Sequence, residues 1–90
     1  MGDDNTVYIG KKGTMAYVMA VIIQMNKGNT EVTLKARGKA ISRAVDVAEI
    51  VKNKFSDEIR ADTIRIYTEE VKGDGDNTLK VSAIEINLKK

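Results

Sequence analysis

The stretch Lys35-Ala36-Arg37-Gly38-Lys39-Ala40-Ile41-Ser42-Arg43-Ala44-Val45-Asp46 joins the end of a predicted strand to the start of a predicted helix, and the chain turns at its glycine. Four of its residues are cations on or beside the helix N-terminus. The unpaired N–H groups and the dipole of a helix N-terminus favour an anion rather than a cation. The stretch therefore predicts a site that an external polyanion completes.

The segment before this stretch predicts a strand and a first helix. Thr6–Ile9 alternates as a short strand, and Thr14 follows the Gly10–Gly13 loop as the N-cap of a helix that runs to about Lys27. Gly28 then ends the helix at the C′ position. Because this helix is apolar around most of its circumference, we expect it to pack on a sheet on one side and on something else, such as a second subunit, on the other.

A strand over Thr30–Ala36 leads through the quoted stretch into a second helix, roughly Lys39–Phe55. The apolar residues of that helix recur at a spacing of three and four residues and form a stripe, which Val47 and Ile50 beside it widen. The predicted core stripe is Ile41, Ala44, Val45, Ala48, Val51 and Phe55. Phe55, the only phenylalanine, either closes this stripe or stays exposed as an anchor between subunits.

The last third of the chain predicts a hairpin of two long strands, Thr63–Val71 and Leu79–Leu88, with a turn over residues 72–77. The apolar phase of the second strand shifts by one residue, which predicts a β-bulge at Ser82-Ala83. Strands of this length are long for a domain of 90 residues. We therefore expect the hairpin tip to project past the core as an arm.

The element order β-α-β-α-β-β predicts a single α+β domain, a two-layer α/β arrangement with both helices on one face of a mixed four-stranded sheet. The first two strands are then parallel, so their C-terminal ends lie at one edge and the loops Gly10–Gly13 and Arg37–Lys39 are neighbours. Six cations form the basic patch at this edge: Lys11, Lys12, Lys35, Arg37, Lys39 and Arg43. Tyr17, on the first turn of helix one, either contacts nucleic acid there or packs in the core.

Charge is distributed unevenly although the net charge is only +2. Between Ile9 and Arg43 there are seven Lys or Arg and one acid, whereas residues 57–90 hold six against eight. A basic half of this kind is typical of proteins that bind polyanions. Gly10–Thr14 has parts of a phosphate-binding loop but lacks the Walker A spacing, so we expect no nucleotide hydrolysis.

The composition excludes several classes of protein. Without cysteine or histidine, we expect no disulfide, no metal site, no cofactor and no catalytic residue. Residues 1–5 read as a flexible N-terminus without signal-peptide features, and no apolar run approaches the roughly 20 residues of a membrane span. The sequence therefore predicts a cytoplasmic protein that is not an enzyme and has no membrane partner.

Three blocks of the sequence closely resemble the Alba family of archaeal chromatin proteins: Val7–Lys12, Met15–Val18 and Lys35–Asp46. The similarity runs from about Thr6 to Lys90. The resemblance implies the fold of the C-terminal domain of a bacterial translation initiation factor, with sheet order 1-2-4-3. It also implies a homodimer that coats and compacts double-stranded DNA without sequence preference, binds RNA as well, and resides on the chromosome in the nucleoid.

The resemblance also implies roles for individual residues. Lys11 and Lys12 match the paired loop lysines of the family. Lys11 matches a lysine that is acetylated in some members, which implies an acetylase and a deacetylase as partners, and the loss of its charge on acetylation weakens DNA binding. Arg37, Lys39 and Arg43 match the second basic cluster of the family, and Gly38, between the first two, is expected to contact nucleic acid with them. Phe55 matches an aromatic that packs dimer against dimer along DNA. Relatives lay the hairpin arm in the minor groove, but Glu69–Asp76 is acidic here, so that role is not carried over.

Two other functions stay open at this point. The first is an RNA-binding module of a ribonucleoprotein, such as an RNA chaperone or a ribonuclease P-type subunit, which would use the same basic patch. The second is a plain interaction scaffold, which would bind no nucleic acid at physiological salt. Competition between duplex DNA and structured RNA separates the first from a chromatin protein.

Overall fold

The computed structural model describes residues 5–90. Its elements are β1 (Thr6–Tyr8), α1 (Thr14–Asn26), β2 (Glu31–Arg37), α2 (Ile41–Ile50), β3 (Arg60–Lys72) and β4 (Thr78–Lys89). A 3₁₀ turn over Gly38–Ala40 precedes α2 and a π-helical turn over Val51–Phe55 follows it, so the predicted second helix is one continuous helical segment. The predicted flexible N-terminus lies outside the described residues except for Asn5, whose carbonyl accepts a hydrogen bond from the Thr33 N–H at 2.8 Å.

The four strands form one mixed sheet in the order β1-β2-β4-β3, which confirms the expected order. β1 pairs in parallel with β2, with Val7 opposite Leu34. β4 pairs antiparallel with both β2 and β3. The element order, the parallel pair and the closing hairpin of the α+β prediction are therefore confirmed.

Both helices pack on one face of this sheet and form a single core with it. Alternate residues of each strand point towards the helices, as strand geometry requires. The largest fully buried side chains are Leu34, Leu88, Val18, Val21, Val32, Val47 and Val51. Burial of each such side chain stabilises the fold by about 1.5–3 kcal/mol. The opposite face of the sheet, here called the open face, carries polar side chains and has no helix on it among residues 5–90.

The predicted core stripe of the second helix is wrong at Val45, which is 43% exposed. Val47, beside the stripe, is fully buried. Because the helix packs on α1 as well as on β2 and β4, its buried face is rotated from the simple stripe. Phe55 also lies outside the buried core, with 45% of its surface exposed.

The predicted N-cap of the first helix is wrong by one residue. The N-cap is Gly13, in an extended conformation and without a side-chain cap bond, and Thr14 is already the first helical residue. The Gly13 carbonyl instead accepts a hydrogen bond from the Ala16 N–H at 3.1 Å. At the other end Gly28 follows the C-cap with a φ of 102°, which confirms the predicted C′ glycine.

The predicted bulge at Ser82-Ala83 is wrong, because β3 pairs with β4 there without a shift. The irregularity lies at Ala61/Thr63 instead. The apolar phase of β4 changes for another reason, because β4 pairs with β2 only between Lys89 and Ala83. Beyond that point the hairpin is a two-stranded arm with no third strand beside it, in a molecule that measures 45 × 26 × 23 Å. Leu79 of this arm is 56% exposed.

Two leucines of the same strand test this division between core and arm. Leu88→Ala removes a fully buried side chain and should lower the free energy of unfolding by about 2–5 kcal/mol. Leu79→Ala, on the arm, should lower it by less than about 1 kcal/mol. Urea denaturation of both variants measures the difference. Equal losses would contradict the assignment of Leu79 to an arm outside the core.

Candidate nucleic-acid interface

Parallel pairing brings the two predicted loops together at one edge of the sheet. The Ile9 N–H donates to the Lys35 carbonyl at 2.8 Å, which extends the pairing of β1 and β2 to the point where the Gly10–Gly13 loop begins. From α2, Arg43 Nη1 donates to the Gly10 carbonyl oxygen at 2.6 Å. The start of the second helix and the first loop are therefore in direct contact.

The second loop turns at Gly38, whose φ is 58°. This left-handed conformation is open to glycine at little cost, and it takes the chain from β2 into the 3₁₀ turn. Within residues 5–90 no side chain caps this turn or α2, and neither first turn contains an acid. The N–H groups of this helical start consequently have no side-chain acceptor, as the sequence predicted.

Three cations of the basic patch extend into solvent. Lys11, Lys12 and Lys39 are exposed, and their side chains take part in none of the hydrogen bonds or ion pairs formed within residues 5–90. They are called the unpaired lysines below. Their ammonium groups are available to an external anion.

The other three cations of the patch are engaged within the protein. Arg37 Nη1 lies 3.0 Å from Glu69 Oε1 of the arm, and Arg43 donates to Gly10 as described. Lys35 Nζ lies 3.7 Å from Glu85 Oε2. The six cations that the sequence groups together are thus divided into three unpaired and three engaged.

Lys35 lies on the open face of the sheet, as Arg37 does, and belongs to a cross-strand row. Tyr8 and Glu85 lie opposite it, and Arg65 lies opposite Glu85. The Tyr67 hydroxyl also donates to Glu85, at 3.1 Å. Desolvation of the Tyr67 hydroxyl and then this hydrogen bond raise the pKa of Tyr67 above its usual value.

Sequence reasoning missed both acids that engage the patch, Glu69 and Glu85. Glu85 lies opposite Lys35 in the register of β4 against β2. Glu69 lies on β3, two residues beyond Tyr67, and reaches Arg37 diagonally across β4. Nothing in the local alternation of these strands sets that register, because β2 and β4 are separated in the chain by the second helical segment and by β3. The expected sheet order, together with the predicted hairpin, was the only feature of the sequence that could have indicated these contacts.

Tyr17 is buried in the core, with 9% of its surface exposed. Its hydroxyl oxygen accepts hydrogen bonds from the Gly10 N–H at 2.9 Å and from the Lys12 N–H at 3.0 Å. Tyr17 therefore packs in the core, which is one of the two roles predicted for it. A contact with nucleic acid stays a prediction, and the ring offers little surface for it.

Phe55 lies at the end of the second helical segment, beside the C-terminal end of α1. It lines a shallow depression of about 110 Å³ together with Ile22, Met25 and Ile59. Being half exposed at the surface, it is accessible to another molecule. Its role between dimers stays a prediction.

No group of three or more His, Cys, Asp or Glu side chains among residues 5–90 is arranged to hold a metal ion. In the same part of the chain, no helix is long and apolar enough to cross a membrane.

Comparison with known proteins identifies relatives along the whole chain. The Alba family model matches residues 5–68. The DNA/RNA-binding protein Alba of Methanocella arvoryzae is 48% identical over 90 residues, which cover 100% of this chain and 94% of the relative. DNA/RNA-binding protein Alba 1 of Archaeoglobus fulgidus is 52% identical over 87 residues, covering 97% of each chain.

Two solved structures share the fold. Alba from Thermoplasma volcanium superposes with a TM-score of 0.90 at 45% identity, covering 96% of this chain and 100% of the other. ALBA1 from Trypanosoma brucei superposes with a TM-score of 0.80 at 28% identity, covering 97% of this chain and 69% of the other.

Proposed function

The chain belongs to the Alba family, a family of nucleic-acid-binding proteins rather than enzymes, and from that premise we propose that it coats and compacts double-stranded DNA as a homodimer. Binding uses backbone phosphates without sequence preference, and RNA binds to the same surface. The protein would then act in the cytoplasm on the chromosome, in the nucleoid.

The observation that supports this proposal is the set of unpaired lysines at the shared edge of β1 and β2. Lys11 and Lys12 lie in one loop and Lys39 in the other, beside an uncapped helical start. Contacts to phosphates position a protein on nucleic acid but carry no sequence information, whereas base edges are read mostly by bidentate side chains. Flexible lysines at a helix N-terminus fit the first kind of contact.

RNA offers the same phosphates as DNA, so the patch also supports the alternative of an RNA-binding module in a ribonucleoprotein. Competition between duplex DNA and structured RNA at matched salt distinguishes the two. A scaffold function predicts binding to neither.

A homodimer is supported by apolar surface on the edge strand β3. Ile64 and Ile66 are 58% and 79% exposed, on the helix side of the sheet. An uncovered edge strand that carries large apolar side chains favours association with another chain. We propose that a second copy covers this strand and adds a second basic patch to the assembly.

Further association along DNA would use Phe55. Three exposed side chains on one side of α1, Met15, Met19 and Ile23, extend the apolar surface available for such association. Lys11 is exposed and unpaired, so it is accessible to an acetylase and a deacetylase. Acetylation would remove one of the charges on which phosphate binding depends.

Salt dependence tests the phosphate model. With three unpaired lysines per protomer, a dimer neutralises about six phosphates, and affinity should fall about 10³-fold between 50 and 200 mM salt. Changing Lys11 and Lys12 to Ala should reduce the salt slope to about a third and weaken binding equally on unrelated sequences. Lys27→Ala with Lys54→Ala is the matched control, because it removes two exposed lysines outside the patch. A flat salt response of the wild-type protein would contradict the model.

The ion pair between Arg37 and Glu69 predicts a variant with higher affinity for nucleic acid, whereas the lysine variants have lower affinity. Glu69→Gln should release Arg37 for a phosphate, raise affinity a few-fold and steepen the salt slope by about 0.9 for each additional phosphate that the protein neutralises. Glu70→Gln removes the same charge from the neighbouring residue, which forms no side-chain ion pair among residues 5–90. Titrations of both variants at two salt concentrations make the comparison. Equal increases in affinity would point to net charge alone.

Phe55→Ala tests the contact between dimers. We expect a lower cooperativity of coating, because a half-exposed aromatic is removed, while the isolated dimer stays intact in sedimentation. Ile66→Asp should instead dissociate the dimer, since it places a charge on the proposed dimer surface. Dissociation of the dimer by Phe55→Ala would assign Phe55 to the primary interface.

A further inference from the structure

We propose that the Tyr17 hydroxyl and the Arg43 guanidinium are positioning groups for the Gly10–Gly13 loop and do not themselves bind phosphate. Both hold the backbone of this loop, so that Lys11 and Lys12 are presented in an ordered turn. This inference deepens the proposed function and rests on it.

Gly10 is the residue on which both groups converge. Its N–H donates to the Tyr17 hydroxyl oxygen at 2.9 Å, and its carbonyl accepts from Arg43 Nη1 at 2.6 Å. Lys12 donates its backbone N–H to the same hydroxyl at 3.0 Å. One side chain from each helix thus holds the loop, and the bonds to the Tyr17 hydroxyl lie on either side of Lys11.

The hydroxyl can hold the loop in place because the ring that carries it is itself fixed. Tyr17 belongs to the core cluster, where neighbouring side chains restrict its rotation. A tyrosine oxygen has two acceptor lone pairs, and the two N–H donors use both. Two N–H groups of the loop backbone are therefore attached to the rigid part of the molecule through one oxygen atom.

Glycine at position 10 makes this close approach feasible. A Cβ added there would lie 3.3 Å from the Tyr17 hydroxyl oxygen, closer than an ordinary van der Waals contact. The loop also carries two adjacent lysines, whose like charges repel, and it ends at a second glycine. Without attachment such a loop would sample many conformations, and ordering it at the moment of binding would weaken affinity.

Arg43 differs from the unpaired lysines in exposure and in what its charge contacts. Its side chain is half-buried and Nη1 is used by the Gly10 carbonyl, whereas Lys39 is exposed. A charged donor to a carbonyl is a stronger hydrogen bond than a neutral one. The guanidinium therefore ties the start of α2 to the first loop and couples the two halves of the patch.

Tyr17→Phe isolates the hydroxyl while it keeps the buried ring. We expect faster amide hydrogen exchange at Gly10 and Lys12 in the free protein, and roughly three- to tenfold weaker binding to a random-sequence DNA duplex with an unchanged salt slope. Tyr67→Phe is the control, since it removes a hydroxyl that bonds Glu85 on the open face. In a background of Lys11→Ala and Lys12→Ala, Tyr17→Phe should cause no further loss, because the loop no longer binds.

A second pair of variants tests Arg43. Arg43→Gln should weaken binding with little change in salt slope, whereas Lys39→Gln should lower the slope by about 0.9 for each phosphate that is no longer neutralised. A slope reduced equally by both would show that Arg43 binds phosphate directly and would overturn its positioning role.

The outcomes separate this inference from the proposed function. If the wild-type protein binds and Tyr17→Phe binds equally well, loop attachment is irrelevant and the inference fails alone. A reduced slope in Tyr17→Phe would mean that the hydroxyl contacts phosphate, which also overturns it. If the wild-type protein binds neither DNA nor RNA at 50 mM salt, the proposed function fails and the inference with it.

Discussion

The parallel pairing of β1 with β2 is the constraint on which the rest of this structure depends. A parallel pair places both C-terminal ends at one edge, so the two loops that leave these strands become neighbours although about 25 residues separate them in the chain. Both helices then begin at this edge and return over the same face of the sheet. The contact between Arg43 and Gly10 joins the start of α2 to the first loop. The hydroxyl of the core residue Tyr17 accepts a hydrogen bond from the backbone of the same loop.

The six charges of the patch fall into two groups with different uses. Arg37 and Lys35 are balanced by acids of the hairpin, and Arg43 is used within the fold. The unpaired lysines are the ones in exposed positions of the two loops, where water and salt screen their mutual repulsion. Through Glu69 the acidic arm takes part in this charge balance.

Apolar surface outside the core indicates a second constraint, set by size. A domain of 90 residues buries a smaller fraction of its surface than a larger one, so association is a natural source of further burial. Ile64 and Ile66 on the edge strand are large apolar side chains that are exposed to solvent. Phe55, at the end of the second helical segment, is exposed to a smaller extent. These surfaces are distinct from the basic patch, so association and phosphate binding need not compete for the same residues.

The sequence by itself determined the element order, the boundaries of the helices to within a few residues, the sheet order through the family resemblance, and the edge at which the cations meet. These features follow from periodicities of 2 and 3.6 residues and from turn chemistry, which depend on local neighbours. Only the tertiary structure decided that Val47 rather than Val45 is buried, that the bulge lies at Ala61/Thr63 rather than in β4, and that Glu69 engages Arg37. It also decided that the Tyr17 hydroxyl binds the loop backbone. The rotation of a helix on its sheet, the register of distant strands and the partner of a buried hydroxyl depend on how residues far apart in the chain pack together, and no local pattern encodes that packing.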